Sequence, residues 1–349
     1  MELIDIKSMN EQELQEFILE LGDKSFRAAQ IYQWLHQKLV TDFDEMTNLP
    51  GTLREKLKET CRLTALIAKK VQVSKIDGTS KFLFQLHDGN LIESVLMKYH
   101  HGNSVCISSQ VGCRMGCRFC ASTLDGMVRN LTPSEMLDQI YRIQTISGER
   151  VDNIVIMGSG EPMDNFDNVV KFLELINAQK GLHISARNIT VSTCGLVEKI
   201  RELADKKLQI TLAISLHAPN DDLRKTMMPI AGKYSIAEIM DACTYYLKQT
   251  GRRISFEYSL VKGVNDTPEC AAQLIGLIHG MNCHVNLIPV NPIKERDYRQ
   301  SEKQAIQDFK NKLEKNGINV TIRREMGRDI DGACGQLRKS FLDNEKVDV

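Results

Sequence analysis

The amino-acid sequence predicts an α/β fold in which helices cover a parallel sheet, with a small helical region before it. The main observation is an alternation, from residue 105 onwards, of short and almost continuously apolar segments with helical patterns. Strands of a parallel sheet are buried on both faces and therefore have this apolar character. The composition agrees, since 42% of the 349 residues are hydrophobic and 26% are charged, which is ordinary for a globular protein with a substantial core.

The first hundred residues separate into helices and strands. Residues 1–65 contain segments whose apolar residues recur every three or four positions, which predicts helices in EQELQEFILEL, SFRAAQIYQWLHQKL and LPGTLREKLKET. Residues 66–104 alternate in polarity instead. Here KFLFQL and NLIESVLM flank the turn residues Asp88, Gly89 and Asn90, which predicts a β-hairpin. We expect the first region to be a helical domain and the second a hairpin linker.

Residues 105–340 form the predicted α/β domain, and the charged segment 341–349 is expected to be a frayed tail. Strands are predicted at VCISS (105–109), NIVIMG (153–158), NITVST (188–193), QITLAISL (209–216), ISFEYSLV (254–261), HVNLIPV (284–290) and VTIRR (320–324). The helices between them are predicted in TPSEMLDQIYRIQTI, FDNVVKFLELINAQ, LVEKIRELADK, SIAEIMDACTYYLKQ, AAQLIGLIHG and SEKQAIQDFKNKLEKN. The pattern fits either a barrel or a doubly wound sheet. In a parallel barrel the chemistry lies on the loops that follow the strands.

Charge and cysteine content narrow the class of protein. The 45 Lys and Arg residues balance the 45 Asp and Glu residues, so the chain has no global basic signature of nucleic-acid binding. No apolar run approaches the roughly 18 residues of a membrane span. The N-terminal segment is acidic and does not resemble a signal peptide. We expect a cytosolic protein, in which 10 cysteines indicate metal binding, redox chemistry or catalysis.

One loop concentrates these thiols. In QVGCRMGCRFCAS, three cysteines lie within eight residues, namely Cys113, Cys117 and Cys120. Thiolates are soft ligands that suit iron–sulfur clusters or zinc. A zinc site needs a fourth ligand, which His100 or His101 could supply. A cluster held by three thiolates would keep one iron open to another ligand, and three buried free cysteines are the remaining alternative.

The loop and its context resemble the radical S-adenosylmethionine (SAM) enzymes. The resemblance narrows to the RNA adenine-C2 methyltransferases of the RlmN type through CISSQVGC, MGSGEP, VSTCGLV, SLHAPNDDLR, MMPI, NLIPVNP and DIDGACGQL, together with KSFRAAQIYQWLH near the N-terminus. It implies a partial (β/α)6 barrel, a [4Fe-4S] cluster on the three cysteines and SAM on the open iron. The residues implied to bind SAM are Gly160, Glu161, Ser192, Ser215, Leu216, His217 and Asn291.

The same resemblance assigns three catalytic residues. Adenine C2 is electron-poor and cannot displace the methyl group of SAM directly, so a radical route and a methyl carrier are needed. A thiolate is a suitable carrier because it is nucleophilic. In this family one SAM methylates the C-terminal cysteine, here Cys334, and a second SAM yields the 5′-deoxyadenosyl radical that activates the S-methyl group. Glu93 is the implied base for the C2 proton, and Cys106 releases the product by forming a transient disulfide with Cys334. Without the resemblance, Glu93 would be an ordinary solvated strand residue.

The implied function is methylation of C2 of adenosine 2503 in 23S rRNA and of adenosine 37 in some tRNAs. The implied partners are these RNAs and a flavodoxin-type electron donor, and we expect a monomer. The N-terminal helices, with Arg27, Arg54 and Lys56, are candidates for binding RNA. Alternatives are a Cfr-type enzyme that methylates C8 of the same adenosine, a radical SAM enzyme with another substrate, and a non-catalytic iron–sulfur or zinc RNA-binding module. The GEP and SLHAPND segments favour the C2 enzymes.

Overall fold

The computed structural model of the chain describes residues 3–291, 297–330 and 336–345. The N-terminal part is helical, as its apolar spacing predicts, and two short parallel strands close it. Its elements are β1 (Ile4–Asp5), α1 (Glu11–Glu20), α2 (Phe26–His36), α3 (Gly51–Thr60) and β2 (Cys61–Arg62). Helix α1 begins at a capping box formed by Asn10 and Glu13, so its first amides are satisfied by side chains.

Three antiparallel strands follow and then join the main sheet. They are β3 (Ile67–Val73), β4 (Ser80–Gln85) and β5 (Leu91–Tyr99), and β5 pairs with β6 (Gly102–Cys106). The hairpin expected at Asp88 to Asn90 is therefore present as β4–β5. It is continuous with the sheet of the following region, because Val95 on β5 lies opposite Cys106 on β6.

The rest of the chain builds the parallel part of the sheet. After a small hairpin of β7 (Gln110–Gly112) and β8 (Met127–Asn130), parallel strands extend the sheet from β6 in sequence order. They are β9 (Asn153–Ile156), β10 (Ile189–Thr193), β11 (Thr211–Ser215), β12 (Ile254–Leu260), β13 (Cys283–Pro289) and β14 (Val320–Ile322). The strand order of the ten-stranded sheet is β14-β13-β12-β11-β10-β9-β6-β5-β4-β3. Each predicted strand of this region is present.

Helices cover the sheet between successive strands. They are α4 (Pro133–Ser147), α5 (Phe166–Asn177), α6 (Val197–Asp205), α7 (Asp221–Met227), α8 (Ile236–Thr250), α9 (Pro268–Ile278), α10 (Lys303–Lys315) and α11 (Gln336–Glu345). Short 3-10 helices occur at Ile6–Ser8, Phe43–Glu45, Ala121–Thr123, Pro162–Asn165, Ala186–Asn188 and Pro229–Gly232. One apolar core runs without a break from the N-terminal helices into this region.

Several features differ from the sequence prediction, and among them the short strand pairs β1–β2 and β7–β8 were not predicted. Strand β6 ends at Cys106, although the next residue keeps the ladder pattern, with Ile107 N donating to Val155 O at 3.0 Å. Helix α7 was not predicted, because its seven residues are mostly polar and its main signal is the cap that Asn220 provides. Helix α11 continues to Glu345, so the frayed tail predicted from residue 341 is wrong over 341–345. The fully buried Leu337 packs with Leu83 at the start of this helix.

Candidate active site

A cavity of about 540 Å³ opens at the carboxyl ends of the parallel strands. Parallel strands present their carboxyl ends at one edge, which is where loop side chains converge. The sequence-predicted residues that line it are Glu93, Cys106, Cys113, Cys117, Cys120, Gly160, Glu161, Ser192, Ser215, His217 and Asn291. The two exceptions are Leu216, which is buried in the apolar core, and Cys334, which lies outside the described residues. One cavity thus gathers residues from the strands β5, β6, β10 and β11 and from the loops that follow β7, β9, β11 and β13.

The cysteine loop is held in place by a glycine contact. Gly112 has a φ of 75°, and a Cβ at this position would lie 2.0 Å from the carbonyl oxygen of Gly126. That oxygen accepts a hydrogen bond from the amide of Cys113 at 2.9 Å. Only glycine lets the two backbones approach so closely, so Gly112 allows the loop to close onto β8.

Burial makes the three thiols weak acids in the absence of a cation. It raises the pKa of Cys113 to about 12 and also raises the pKa values of Cys117 and Cys120. A bound metal reverses this effect, because a coordinating thiol is deprotonated outright. In the described ranges, no group of three or more His, Cys, Asp or Glu side chains is already gathered closely enough to hold a metal ion. The three thiols nevertheless line the same cavity.

The structure places the two histidines that were proposed as the fourth ligand of a zinc site away from the cysteine loop. His100 and His101 lie in the exposed turn between β5 and β6, with ring centroids 5.0 Å apart. This turn precedes β6, whereas Cys106 at the other end of β6 lines the cavity. A histidine ligand from this turn is therefore excluded by the direction of the strand.

The glycine-rich loop after β9 places a carboxylate in the cavity. Gly160 has a φ of 110°, and a Cβ there would lie 2.7 Å from the amide nitrogen of Gln110, so the loop approaches this backbone closely. Glu161 accepts hydrogen bonds from the amides of Met163 at 3.0 Å and Cys194 at 2.8 Å. Burial raises the pKa of Glu161, while these amides favour its ionised form. The carboxylate ties two loops together and faces the cavity.

The strands after this loop contribute hydroxyl and imidazole groups. The hydroxyls of Ser192 and Ser215 lie 3.4 Å apart on neighbouring strands. His217 Nδ1 accepts from the amide of Ser259 at 2.9 Å, which places the ring proton on Nε2. Burial, reinforced by the charge of Arg224, lowers the pKa of His217 to about 3. His217 is therefore a neutral hydrogen-bond donor at neutral pH.

Glu93 and Cys106 line the cavity from strands β5 and β6. Only 5% of Glu93 is exposed, so the alternative of a solvated strand glutamate is wrong. Its carboxylate lies 3.2 Å from Lys81 Nζ and accepts from the amide of Arg338 at 2.6 Å. Burial raises the pKa of the Cys106 thiol, and the charge of Arg323 acts in the opposite direction. Cys106 thus has a cation near it that stabilises its thiolate.

Although Cys334 is not described, its neighbours in the chain are informative. Ile330 and Gln336 both line the cavity. They stand on either side of the segment 331–335, which contains Cys334. The described residues on both sides of Cys334 therefore line the cavity.

Three buried charged residues near the site were missed by the sequence analysis. Arg224 is fully buried and donates to the carbonyl oxygens of Leu216 at 3.2 Å and Cys194 at 2.6 Å. Its Nη1 has no hydrogen-bond partner in the described part of the chain. The other two are Lys81 and Glu257. Charged residues on strands and short helices are normally exposed, so composition gives no warning of their burial.

Glu257 lies on a row of polar residues that crosses the sheet. Its neighbours in register are Ser215 on β11 and Asn286 on β13. It accepts from Ser255 Oγ and Asn286 Nδ2, both at 2.8 Å. Inward-facing polar residues on adjacent strands in one register could have been suspected once the strand alignment was known.

The basic residues of the N-terminal helices are engaged within their own domain. Arg27 donates to the carbonyl of Asn48 at 3.3 Å and Lys56 to that of Leu21 at 3.0 Å, while Arg54 donates to that of Asp44 at 3.1 Å. All three retain some exposure. None of the helices in the described part of the chain combines the length and apolar composition required to cross a bilayer.

Comparisons with known proteins match the chain in two regions and over its full length. The Ribosomal RNA large subunit methyltransferase N-terminal domain matches residues 4–63, and the Radical SAM superfamily matches residues 107–275. A protein of Lachnospira eligens named "Probable dual-specificity RNA methyltransferase RlmN" is 72% identical over 342 residues, covering 98% of each chain. One with the same name from Lachnoclostridium phytofermentans is 63% identical over 346 residues, covering 99% of this chain and 97% of that one. The crystal structure of a radical SAM methyltransferase from Sphaerobacter thermophilus is similar with a TM-score of 0.91 and 42% identity, over 95% of this chain and 98% of that chain.

Proposed function

The chain belongs to the RlmN family of dual-specificity RNA methyltransferases in the radical SAM superfamily, and on this basis we propose that it methylates C2 of adenosine 2503 in 23S rRNA and of adenosine 37 in some tRNAs. Family membership confirms the predicted radical SAM fold and the predicted cofactors, a [4Fe-4S] cluster and SAM. The observation that carries the proposal is the single cavity that combines three loop thiols with Glu93 and Cys106.

The residues of the cavity fit these cofactors. Cys113, Cys117 and Cys120 supply the soft ligands of the cluster, and a cluster with three protein ligands keeps one iron for SAM. When bound, the cluster and SAM supply a carbon-centred radical that removes hydrogen from an unactivated methyl group. The absence of a side chain at Gly160 lets its loop pack against the backbone of Gln110, which holds the neighbouring Glu161 at the cavity.

The SAM site is proposed to extend along the strand ends from the cluster. Glu161 and Gly160 face the amino-acid end, since a buried carboxylate suits an ammonium group. The hydroxyls of Ser192 and Ser215 suit the ribose, and the neutral His217 donates through Nε2. Leu216 takes part through its backbone, because its side chain is in the core. Asn291, which follows strand β13, completes the proposed set.

The methyl group is proposed to pass through Cys334. Its thiolate attacks the methyl carbon of one SAM, so that a sulfur–carbon bond forms and S-adenosylhomocysteine leaves. After hydrogen removal, the methylene carbon adds to adenine C2. This carbon then carries both the new substituent and its original hydrogen. The ring becomes aromatic again when the carbon loses that proton and the adduct loses one electron, for which the oxidised cluster, when bound, would be the acceptor.

Two residues of the cavity wall complete the reaction. Glu93 accepts the C2 proton on a carboxylate oxygen. Cys106 then attacks the sulfur of Cys334, so that a disulfide forms while the bond between sulfur and carbon breaks. The electron pair of that bond goes to the carbon, which takes a proton and becomes the methyl group. An external reductant must reopen the disulfide. Burial raises the pKa of the Cys106 thiol, and the charge of Arg323 offsets part of this effect before the attack.

Several finer features belong to the same proposal. A flavodoxin-type protein supplies electrons, the enzyme acts as a monomer, and its substrates place it in the cytoplasm. The N-terminal helical domain, residues 1–65, contacts the RNA, and the strands of residues 66–104 link it to the catalytic region of residues 105–340. The target base must leave its stack to enter the cavity, as enzymes that act on bases require.

The test is an anaerobic reaction of iron-reconstituted protein with SAM, reductant and a 23S rRNA fragment, followed by digestion to nucleosides and mass spectrometry. We expect 2-methyladenosine, and a tRNA substrate should give the same nucleoside. Formation of 8-methyladenosine would assign the chain to the C8 enzymes instead. SAM cleavage without any methylated adenine would show that the substrate is not this RNA.

A further inference from the structure

A fully buried lysine lies directly behind Glu93. Lys81 on β4 has no exposed surface, and its Nζ is 3.2 Å from Glu93 Oε2. The register places Leu83 opposite Glu93, so Lys81 is the diagonal neighbour on the same face of the β4–β5 pair. Diagonal neighbours are within reach of long side chains. Lys81 is not among the residues that line the cavity, so it contacts Glu93 from the protein side.

A contribution to the stability of the fold does not by itself explain why Lys81 and Glu93 are buried as an ion pair. Removing two charges from water costs several kcal/mol per ion, and apolar residues of similar volume often stabilise a protein equally well. A buried carboxylate at a cavity wall, however, keeps its charge and its orientation only if a cation is fixed beside it. The position of Lys81 is therefore better explained by its effect on the charge and orientation of Glu93 than by a contribution to the stability of the fold.

The second oxygen of Glu93 contacts helix α11. Glu93 Oε1 accepts from the amide of Arg338 at 2.6 Å, in the first turn of this ten-residue helix. A negative charge is favoured at a helix N-terminus because amide groups and the helix dipole point towards it. Leu337, next to Arg338, is fully buried against Leu83 and Leu91 on the same face as Glu93. The carboxylate is thus fixed from two sides.

We propose that Lys81 is a positioning residue that holds the ionised Glu93 carboxylate at the cavity wall and in contact with the first turn of α11. The inference rests on the proposed role of Glu93 as the base. In that step the C2–H bond breaks, its electron pair stays in the ring, and the proton binds a Glu93 oxygen. Without the ammonium, the buried carboxylate takes up a proton beforehand or turns away from the cavity, and in either state it no longer accepts the C2 proton.

Loss of Lys81 therefore stalls one identifiable step. Methylation of Cys334, SAM cleavage and radical addition do not involve Glu93, so the reaction stops with RNA covalently attached through Cys334. K81M should accumulate this covalent protein–RNA adduct and form 2-methyladenosine about 10²-fold more slowly, the order of effect of displacing a catalytic group by ~1 Å. K81R keeps the charge and should recover most of the activity.

The chain contains a matched control for loss of a buried lysine. Lys7 Nζ is 2.7 Å from Asp138 Oδ1, and both side chains are 1% exposed, yet this pair lies away from the cavity. K7M removes a comparable ion pair and should lower stability without accumulating adduct. If K81M does not fold, K81Q takes its place in the same measurements, with the same expected results.

The experiment compares the four cluster-loaded proteins, wild type, K81M, K81R and K7M, with two readouts. Hydrogen–deuterium exchange without RNA should be faster in the peptide 336–345 for K81M alone, because the Arg338 amide loses its acceptor. With SAM, reductant and rRNA, denaturing gels should show the adduct for K81M alone. Unchanged exchange and unimpaired methylation in K81M, or an equal adduct in K7M, would overturn the inference. A wild-type enzyme that forms no methylated RNA would overturn the proposed function instead, while the exchange result would still report on the Lys81 contact.

Discussion

Replacement of Gly112 by alanine should prevent the cysteine loop from holding its cluster. The φ of 75° costs an alanine about 1–2 kcal/mol. The new Cβ would lie 2.0 Å from Gly126 O, so the two backbones must separate by more than about 1 Å to reach an ordinary carbon–oxygen contact. This separation breaks the hydrogen bond from Cys113 N, at a further cost of about 0.5–1.5 kcal/mol. We expect the closed loop to lose about 1.5–3.5 kcal/mol in total.

The neighbouring glycine provides the matched control. Gly126 has a φ of 70°, but no heavy atom lies within 4 Å of a Cβ built there. G126A therefore carries the conformational cost without the collision. Iron and acid-labile sulfide per chain, measured after anaerobic reconstitution, should fall strongly in G112A and stay near the wild-type value in G126A. Equal cluster content in the two variants would refute the argument that Gly112 shapes the loop.

Two further predictions concern catalysis and stability. C106A should trap a covalent RNA adduct through Cys334 and C334A should abolish turnover, as denaturing gels and nucleoside analysis would show; normal turnover by C106A would contradict the assigned role. Burial lowers the pKa values of His36 and His217 to about 3, so between about pH 6.5 and 3 the unfolded chain binds more protons than the folded one. The free energy of unfolding, measured with urea, should therefore fall as the pH is lowered through this range. H36Q should reduce the slope of this free energy against pH. A slope identical to that of wild type would show that His36 contributes nothing.

Much of the fold could be predicted because its signals are local. The parallel strands are almost continuously apolar, and the intervening helices have clear apolar spacing. Helix α7 was missed because a seven-residue helix of polar composition has no apolar period to detect. The part of α11 after residue 340 was missed because the helix is mostly polar and is fixed at its start by the contacts of Leu337 with the distant strands β4 and β5.

The residues of the site likewise include some that the sequence reveals and others that only the folded structure reveals. The spacing of Cys113, Cys117 and Cys120 is visible in the sequence, and their density indicates a cluster or metal site. The resemblance to the radical SAM enzymes then specifies a [4Fe-4S] cluster. Lys81 could not be identified, because a lysine in an alternating hairpin normally lies on the solvated face. Here α11 and the catalytic region cover that face, so both sides of β4 are buried. Only tertiary packing shows that Lys81 and Glu93 form a pair.

The central claim is that the methyl group travels through Cys334 as a methylene and not by direct transfer from SAM. Deuterium in the methyl group of SAM tests it directly, with turnover started from protein whose Cys334 carries no methyl group and the product analysed by mass spectrometry. Removal of one deuterium by the radical and later uptake of a solvent proton predict 2-methyladenosine that carries two deuterium atoms. A product that retains all three would show direct transfer, and would contradict the roles proposed here for Cys334, Cys106 and Glu93.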